Sequence, residues 1–295
     1  MYEVVVVGAG PAGLSAALTL GRARRRALLV DGGPGRNARS DAVRNLLSRD
    51  GIAPAELRAE ALGDLEEYPS VDVVTGVVTG AEIEQEGFRV FLDGGARLGR
   101  RLLLATGVED VLPGIPGLAE RWGSGVLHCA YCHGWERTGL RLAVLDVDGW
   151  GVHQAVHLAR FGKDVLLVGD PPGEQRVMLA RRGITVRRGP IERVEGLATL
   201  VFAGGDVVER DALFLHPRTR QRSDLAERLG CRLLEDGAVE VDDFGQTSVR
   251  GVLAAGDMAR KPDMPFPGAQ VVLAAAQGVT AAIVIDQELL YAQNS

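Results

Sequence analysis

Val4-Val5-Val6-Val7-Gly8-Ala9-Gly10-Pro11-Ala12-Gly13 is the stretch on which the fold turns. Four consecutive valines are β-branched and apolar, and the run is too short for a helix, so they read as a strand buried on both faces, as in a parallel sheet. The chain then passes through glycines in G-x-G-x-x-G spacing and enters a segment with helical apolar spacing at Leu14, Ala17, Leu18 and Leu20. Gly8, Gly10 and Gly13 let the backbone approach a pyrophosphate, while Pro11 and Ala12 open a helix whose N-terminus offers oriented N–H groups. A second strand, Ala27 to Val30, closes at Asp31 and Gly32, with Asp31 standing 21 positions after Gly10. That is where the acid that holds a ribose belongs. A glycine-rich turn that binds nothing would not need strand, helix and acid together.

Later segments repeat the theme. Apolar runs at Val71 to Val78, Phe88 to Leu92 and Leu102 to Ala105 extend the first domain, the middle ones reading as a small antiparallel insertion. The turn-rich Val111-Leu112-Pro113-Gly114-Ile115-Pro116-Gly117 marks a boundary. A second βαβ pattern follows, with a strand at Leu142 to Leu145, a helix over Val152 to Phe161 and a strand at Val165 to Val168. After Leu213 to Leu215 the turn-rich His216-Pro217-Arg218-Thr219 crosses back, and the remaining chain has the short strands and final helix of a segment completing the first domain. The expected fold is α/β, with two Rossmann-like three-layer ββα domains, the second inserted into the first. Residues 1–112 and 216–295 are expected to form the discontinuous domain and residues 113–215 the insert.

His128-Cys129-Ala130-Tyr131-Cys132-His133-Gly134-Trp135-Glu136 is the most specific stretch. Zinc would need more ligands than this pair supplies; Cys231 is solitary and the other histidines are scattered, so no metal site is expected. A redox dithiol or an inert pair remains. A thiolate is the attacking species, so a redox pair needs a base or positive potential beside it. His133 can accept and return a proton near neutral pH, or serve packing or a backbone bond. His128 reads as structural, and Tyr131 and Trp135 as residues that shape and dry the cleft or touch substrate.

Leu104-Ala105-Thr106-Gly107 resembles the A-T-G strand end of two-dinucleotide flavoproteins, and Gly251-Val252-Leu253-Ala254-Ala255-Gly256-Asp257 resembles their late G-x-x-A-A-G-D motif. With the first glycine loop and the cysteine pair, these segments cover nearly the whole chain, which resembles the low-molecular-weight thioredoxin reductase family. That family usually places Asp after the second cysteine, where this chain has His133. The C-x-x-C-H-G-[WY]-E variant is similar to the branch of dithiol oxidases that close disulfides in natural products such as gliotoxin and holomycin. The resemblance implies a homodimer that binds FAD in the discontinuous domain, while a chain with no visible leader or bilayer span is expected to be cytoplasmic. Its contacts would come from Gly8, Gly10, Pro11, Ala12, Gly13, Asp31 and Gly32, from Thr106 and Gly107, and from Gly256 and Asp257 on the ribityl-phosphate side. Arg36 and Asn45 would lie nearby. A helix starting near Gln270 and Val271 would aim its N-terminal dipole at the flavin edge where reduction places negative charge. Cys132 would be the cysteine nearer the flavin, and Cys129 the one that exchanges with substrate.

The second nucleotide loop is damaged. Strand Leu142 to Leu145 runs into Asp146-Val147-Asp148-Gly149-Trp150-Gly151-Val152-His153-Gln154. One frame puts Asp146 and Asp148 where glycines belong, so that carboxylates confront a pyrophosphate; sliding the frame puts Gln154 in the third slot. The next strand ends at Leu167-Val168-Gly169-Asp170-Pro171-Pro172, without a basic cluster for a 2′-phosphate. NADPH is therefore a doubtful cofactor. His153 and His157 have i, i+4 spacing but lack a zinc-protease Glu and read as a solvent face; Cys231 reads as a half-buried bystander. The favoured electron flow then runs from a small-molecule dithiol to the cysteine pair, to FAD and to oxygen, with peroxide as product. A disulfide reductase fed by NAD(P)H, ferredoxin or another flavoprotein stays open, as does a non-catalytic flavin-binding module.

Composition fits this frame. The 295 residues are 46% hydrophobic, enough for two cored domains. A net charge of −6 offers no field for nucleic acid or an anionic membrane, and the run Arg22-Ala23-Arg24-Arg25-Arg26 reads as a solvated helix C-terminus. No basic leader precedes the first strand, and no uninterrupted apolar stretch reaches the roughly 20 residues needed to span a bilayer. With three cysteines in a reducing compartment, the close pair points to redox chemistry rather than a structural staple.

Overall fold

The computed structural model describes residues 1–264 and 268–292 and divides into two compact units. The first comprises Met1–Ala38, Pro54–Glu109 and Arg220–Ser295; the second comprises Arg39–Ala53 and Asp110–Thr219. Arg39–Ala53, within the span expected to belong to the first domain, groups with the second unit.

Among the described residues, the first unit is built on a seven-stranded sheet. The valine run is its central strand, Tyr2–Val7, flanked in parallel by Ala27–Asp31 and Gly95–Leu104. Val71–Thr75 extends the parallel set beyond Ala27–Asp31, and Val252–Ala254 pairs with the far end of Gly95–Leu104. The apolar run Val71 to Val78 is thus divided at Gly76. Its first part is a parallel strand, and only Val78–Glu84 joins Gly87–Leu92 and Gly95–Leu104 in the antiparallel insertion. Alternation sorts the two faces. Val4, Val6, Leu29 and Leu103 meet the helices Pro11–Arg22 and Val271–Ala292, while Val5, Val7, Leu28 and Leu102 pack on the other side with Phe88 and Val252.

The final helix is apolar over Val271–Tyr291, long enough by length and composition to cross a membrane, although Asp286 and Glu288 interrupt its apolar run. Its Ala281, Ala282, Ile285 and Leu289 lie in the core beside the glycine-loop helix. A side chain at Gly278 would come within 2.0 Å of the Ala12 carbonyl oxygen, so these two helices touch backbone to backbone. The basic run also departs from expectation. Arg22, Arg24 and Arg26 are exposed, but Arg25 is buried, because it bridges Glu3 on the first strand at 2.8 Å and Asp286 on the final helix at 2.6 Å.

Among the described residues, the second unit has a five-stranded parallel sheet in the order Ile184–Arg187, Asp164–Val168, Arg141–Leu145, Ala212–Leu215 and Val126–Leu127. Leu142 and Val144 face helices Gly151–Leu158 and Gly173–Arg181, whereas Ala143, Leu166 and Leu213 face a three-stranded antiparallel sheet formed by Ile191–Glu195, Thr199–Phe202 and Val207–Val208. Sheet, sheet and helices give the three layers, a buried parallel sheet covered on both faces.

Candidate active site

In the first unit the predicted nucleotide residues converge at the C-terminal ends of the parallel strands. Gly8 has a φ of +108°, and a Cβ there would lie 2.3 Å from the Ala105 oxygen, so the loop presses against the A-T-G strand end. A Cβ at Gly13 would lie 1.8 Å from the Gly8 oxygen, while one at Gly10 would meet nothing within 4 Å. The loop is closed on its inner side and open where a phosphate must enter. Asp31 is buried, and one of its oxygens accepts from Gly33 N–H at 2.8 Å. The other is held by Arg58, whose guanidinium also donates to the Ala9 carbonyl. Arg36 and Asp257, 221 positions apart, pair at 3.0 Å. Gly256 N–H donates to Gln277 at 2.8 Å, and Gln270 caps the helix by accepting from Ala274 N–H at 2.9 Å, with Val271 its first residue. Thr106 Oγ1 donates to Met258 Sδ at 3.3 Å, beside Gly107 at a φ of +70°. A glycine cradle, a buried acid at ribose distance along the chain and a helix N-terminus suit FAD; these residues fit that group.

In the second unit Cys129 caps a four-residue helix, Ala130–His133, and its sulfur accepts from Cys132 N–H at 3.2 Å. Both cysteines are half-buried. The peptide bonds leading into them are each held by a carboxamide. Buried Gln154 donates to the His128 carbonyl at 2.6 Å, and Asn45 donates to the Tyr131 carbonyl at 3.0 Å. Burial, and then the Arg137 guanidinium, hold His133 below the ordinary imidazole value of 6.5, so it is a neutral base near pH 7. Tyr131 and Trp135 are 66% and 77% exposed, so their rings line the outside of the turn rather than drying it. Tyr131 packs edge-on against His157 at 4.3 Å, which gives one of the two helix histidines a packing role while His153 stays exposed. Cys231 belongs to the first unit, buried beside Thr247 with its thiol pushed up by desolvation, which suits a bystander.

The second glycine loop is filled by its own residues. Asp146 accepts from Gly151 N–H, at the start of helix Gly151–Leu158, at 2.9 Å. A Cβ at Gly151 or Gly169 would lie 2.5 or 2.9 Å from the Asp146 Cβ, so this side chain occupies the crevice between the two strand ends. Asp148 is gripped by both sides of the Arg218 guanidinium at 2.8 and 3.0 Å, which lowers its carboxyl from the usual range. Basic residues that carry no cluster signal in the sequence do approach the next strand end: Arg176 and Arg188 sit 3.2 and 2.7 Å from Asp170, whose single carboxylate offsets one of their two charges.

Arg58 is the other missed residue, because helix Pro54–Leu65 carries no motif and nothing in its spacing points back to Asp31. Asn45, assigned to the flavin by resemblance, lies on the segment that groups with the dithiol unit.

Residues 2–278 match the family described as Pyridine nucleotide-disulphide oxidoreductase. The chain is 36% identical over 293 residues to a protein named thioredoxin reductase tcpT from Claviceps purpurea (strain 20.1), covering 91% of each. It is 34% identical to thioredoxin reductase sirT from Leptosphaeria maculans, covering 95% of this chain and 92% of that one. Among solved structures, HlmI superposes with a TM-score of 0.91 at 38% identity, covering 98% of this chain and 92% of that one. An oxidoreductase from Agrobacterium tumefaciens gives 0.93 at 38% identity, covering 98% and 99%.

Proposed function

From the premise that the chain belongs to the pyridine nucleotide-disulphide oxidoreductase family, as a thioredoxin-reductase-like flavoprotein with FAD as its cofactor, we propose that it is a dithiol oxidase. The observation that carries this reading is the self-filled second loop. Asp146 holds the helix N–H that a nicotinamide dinucleotide's pyrophosphate would need, while the Cys129/Cys132 pair is intact. Electrons then enter through sulfur.

The reaction begins with the pair as a disulfide. A substrate thiolate attacks Cys129 Sγ, the Cys129–Cys132 bond breaks, and Cys132 leaves with the electron pair. The second substrate sulfur attacks the first; the substrate disulfide forms and Cys129 leaves as a thiolate. Two substrate thiols have become one disulfide, and the protein pair holds the two electrons. His133, neutral because it is buried, takes up and returns the protons. When bound, FAD supplies the electron sink, accepting the pair and passing it to oxygen to give peroxide. The working form we propose is a cytoplasmic homodimer acting on a small-molecule dithiol.

Anaerobic mixing of the FAD-loaded protein with dithiothreitol, without nicotinamide, should bleach the flavin, and readmitted oxygen should restore it with release of peroxide. A flavin left oxidised by the dithiol refutes the scheme. The names of the two fungal relatives support a second reading, a thioredoxin-type disulfide reductase. Rapid bleaching by NADPH or NADH in the same cuvette would favour it.

A further inference from the structure

The Arg39–Ala53 segment ends close to the redox pair for a reason visible in its bonding. Val43 and Gly51–Ile52 close its base through two 2.8 Å backbone bonds, and Asn45 N–H donates to Asp50 at 2.8 Å. Arg44 ties the segment to Glu136 at 3.1 Å. Inside this frame Asn45 takes a φ of +59°, a left-handed conformation that asparagine tolerates better than most residues. The strain serves one outward bond, from Asn45 Nδ2 to the Tyr131 carbonyl at 3.0 Å. That carbonyl shares its peptide group with the N–H of Cys132, which donates to Cys129 Sγ at 3.2 Å.

We propose that Asn45 is a positioning residue for Cys129, acting through the Tyr131–Cys132 peptide rather than by touching the sulfur. A peptide whose carbonyl accepts a hydrogen bond is polarised, and its N–H becomes a better donor. A better donor at Cys129 Sγ favours the thiolate over the thiol. This rests on the reading of Cys129 as the substrate-facing cysteine. In that role it must leave as a thiolate when the substrate disulfide closes, and a thiol of lower pKa leaves faster. The relay also fixes the turn, so that the Cys129 sulfur meets the substrate from one direction.

The test uses the FAD-loaded protein in a Cys132→Ser background, which keeps the backbone N–H and leaves Cys129 as the thiol of the pair. Alkylation by iodoacetamide is followed across pH and assigned to Cys129 by peptide mass. Asn45→Gly keeps the left-handed backbone without strain and removes the donor; Asn45→Asp keeps the shape and removes the donor. Both should move the alkylation profile to higher pH by about half a unit to one unit, so that Cys129 reacts about three- to tenfold more slowly near neutrality. A profile unmoved in Asn45→Gly overturns the relay. Loss of flavin from Asn45→Gly, with Cys129 alkylated as in flavin-free Cys132→Ser protein, also overturns it and makes Asn45 a flavin ligand. The parent reading fails separately: a Cys132-containing protein whose flavin ignores dithiothreitol is not a dithiol oxidase, yet the alkylation shift is still measurable.

Discussion

Asp146→Gly removes the carboxylate that fills the second glycine loop, and the structure sets the size of the effect. The native side chain accepts from Gly151 N–H at 2.9 Å, the donor a pyrophosphate oxygen would have to take. A charge-assisted bond of this kind is worth about 1.5–3 kcal/mol, and each ~1.4 kcal/mol is a factor of about ten in affinity. The variant should therefore bind NADPH or NADH about 10- to 100-fold more tightly than the native chain. Adding Asp148→Gly should gain about fivefold at most, because Arg218 is 75% exposed and such pairs contribute no more than about 1 kcal/mol. Losing the cap should lower stability by about 1 kcal/mol, a few degrees in melting temperature. Fluorescence titration gives the dissociation constant, and anaerobic mixing gives the rate of flavin bleaching. Native protein bleached by NADPH as fast as by dithiothreitol, or an Asp146→Gly variant with no gain in affinity, would refute the argument.

Arg58→Ala strips the guanidinium from buried Asp31 and from the Ala9 carbonyl, so FAD should be held at least about tenfold more weakly; unchanged flavin content after gel filtration contradicts this. His133 has a folded pKa held below 6.5, first by burial and then by Arg137. As pH falls through 6.5 the unfolded chain binds a proton that the folded one does not, so stability drops below that pH and levels off below the folded value. The turnover limb should lie on the acid side of the same value, and His133→Gln should abolish the limb and cut kcat about a hundredfold; an unmoved profile in that variant removes His133 from the chemistry. Arg25→Met leaves Glu3 and Asp286 unpaired at the edge of the core and should cost about 3 kcal/mol in denaturant unfolding; a change within about 0.5 kcal/mol would show that the pair contributes nothing.

What could be read from the sequence was local in it. The first glycine loop, Asp31 and the cysteine pair announce themselves because their signature residues lie within one βαβ unit or one turn. Arg36 and Asp257 are each implied by the family resemblance, but their pairing spans 221 positions and depends on the late strand returning to the sheet. Arg58 and Arg25 carry no spacing signal at all. Arg25 was hidden inside a run of like charges, where only the geometry of the first strand and final helix separates the buried arginine from its solvated neighbours. The Arg39–Ala53 segment has an ordinary loop composition, and its allegiance to the dithiol unit rests on tertiary bonds from Asn45 and Arg44. The run Val71 to Val78 misled by continuity: β-branched residues on both sides of Gly76 hide a turn between a parallel and an antiparallel strand.

Gln154 ties the second glycine loop to the redox turn. It stands on the helix of the second glycine loop, where one frame of the fingerprint would want glycine, and its side chain is buried with its nitrogen on the His128 carbonyl. Restoring glycine there would strip support from the peptide entering Cys129 and leave a void in the packed layer. In that frame a glycine at position 154 and a firmly held redox turn exclude one another. The helix of the second loop thus doubles as scaffolding for the cysteine turn, so that any change at position 154 is felt at the peptide entering Cys129.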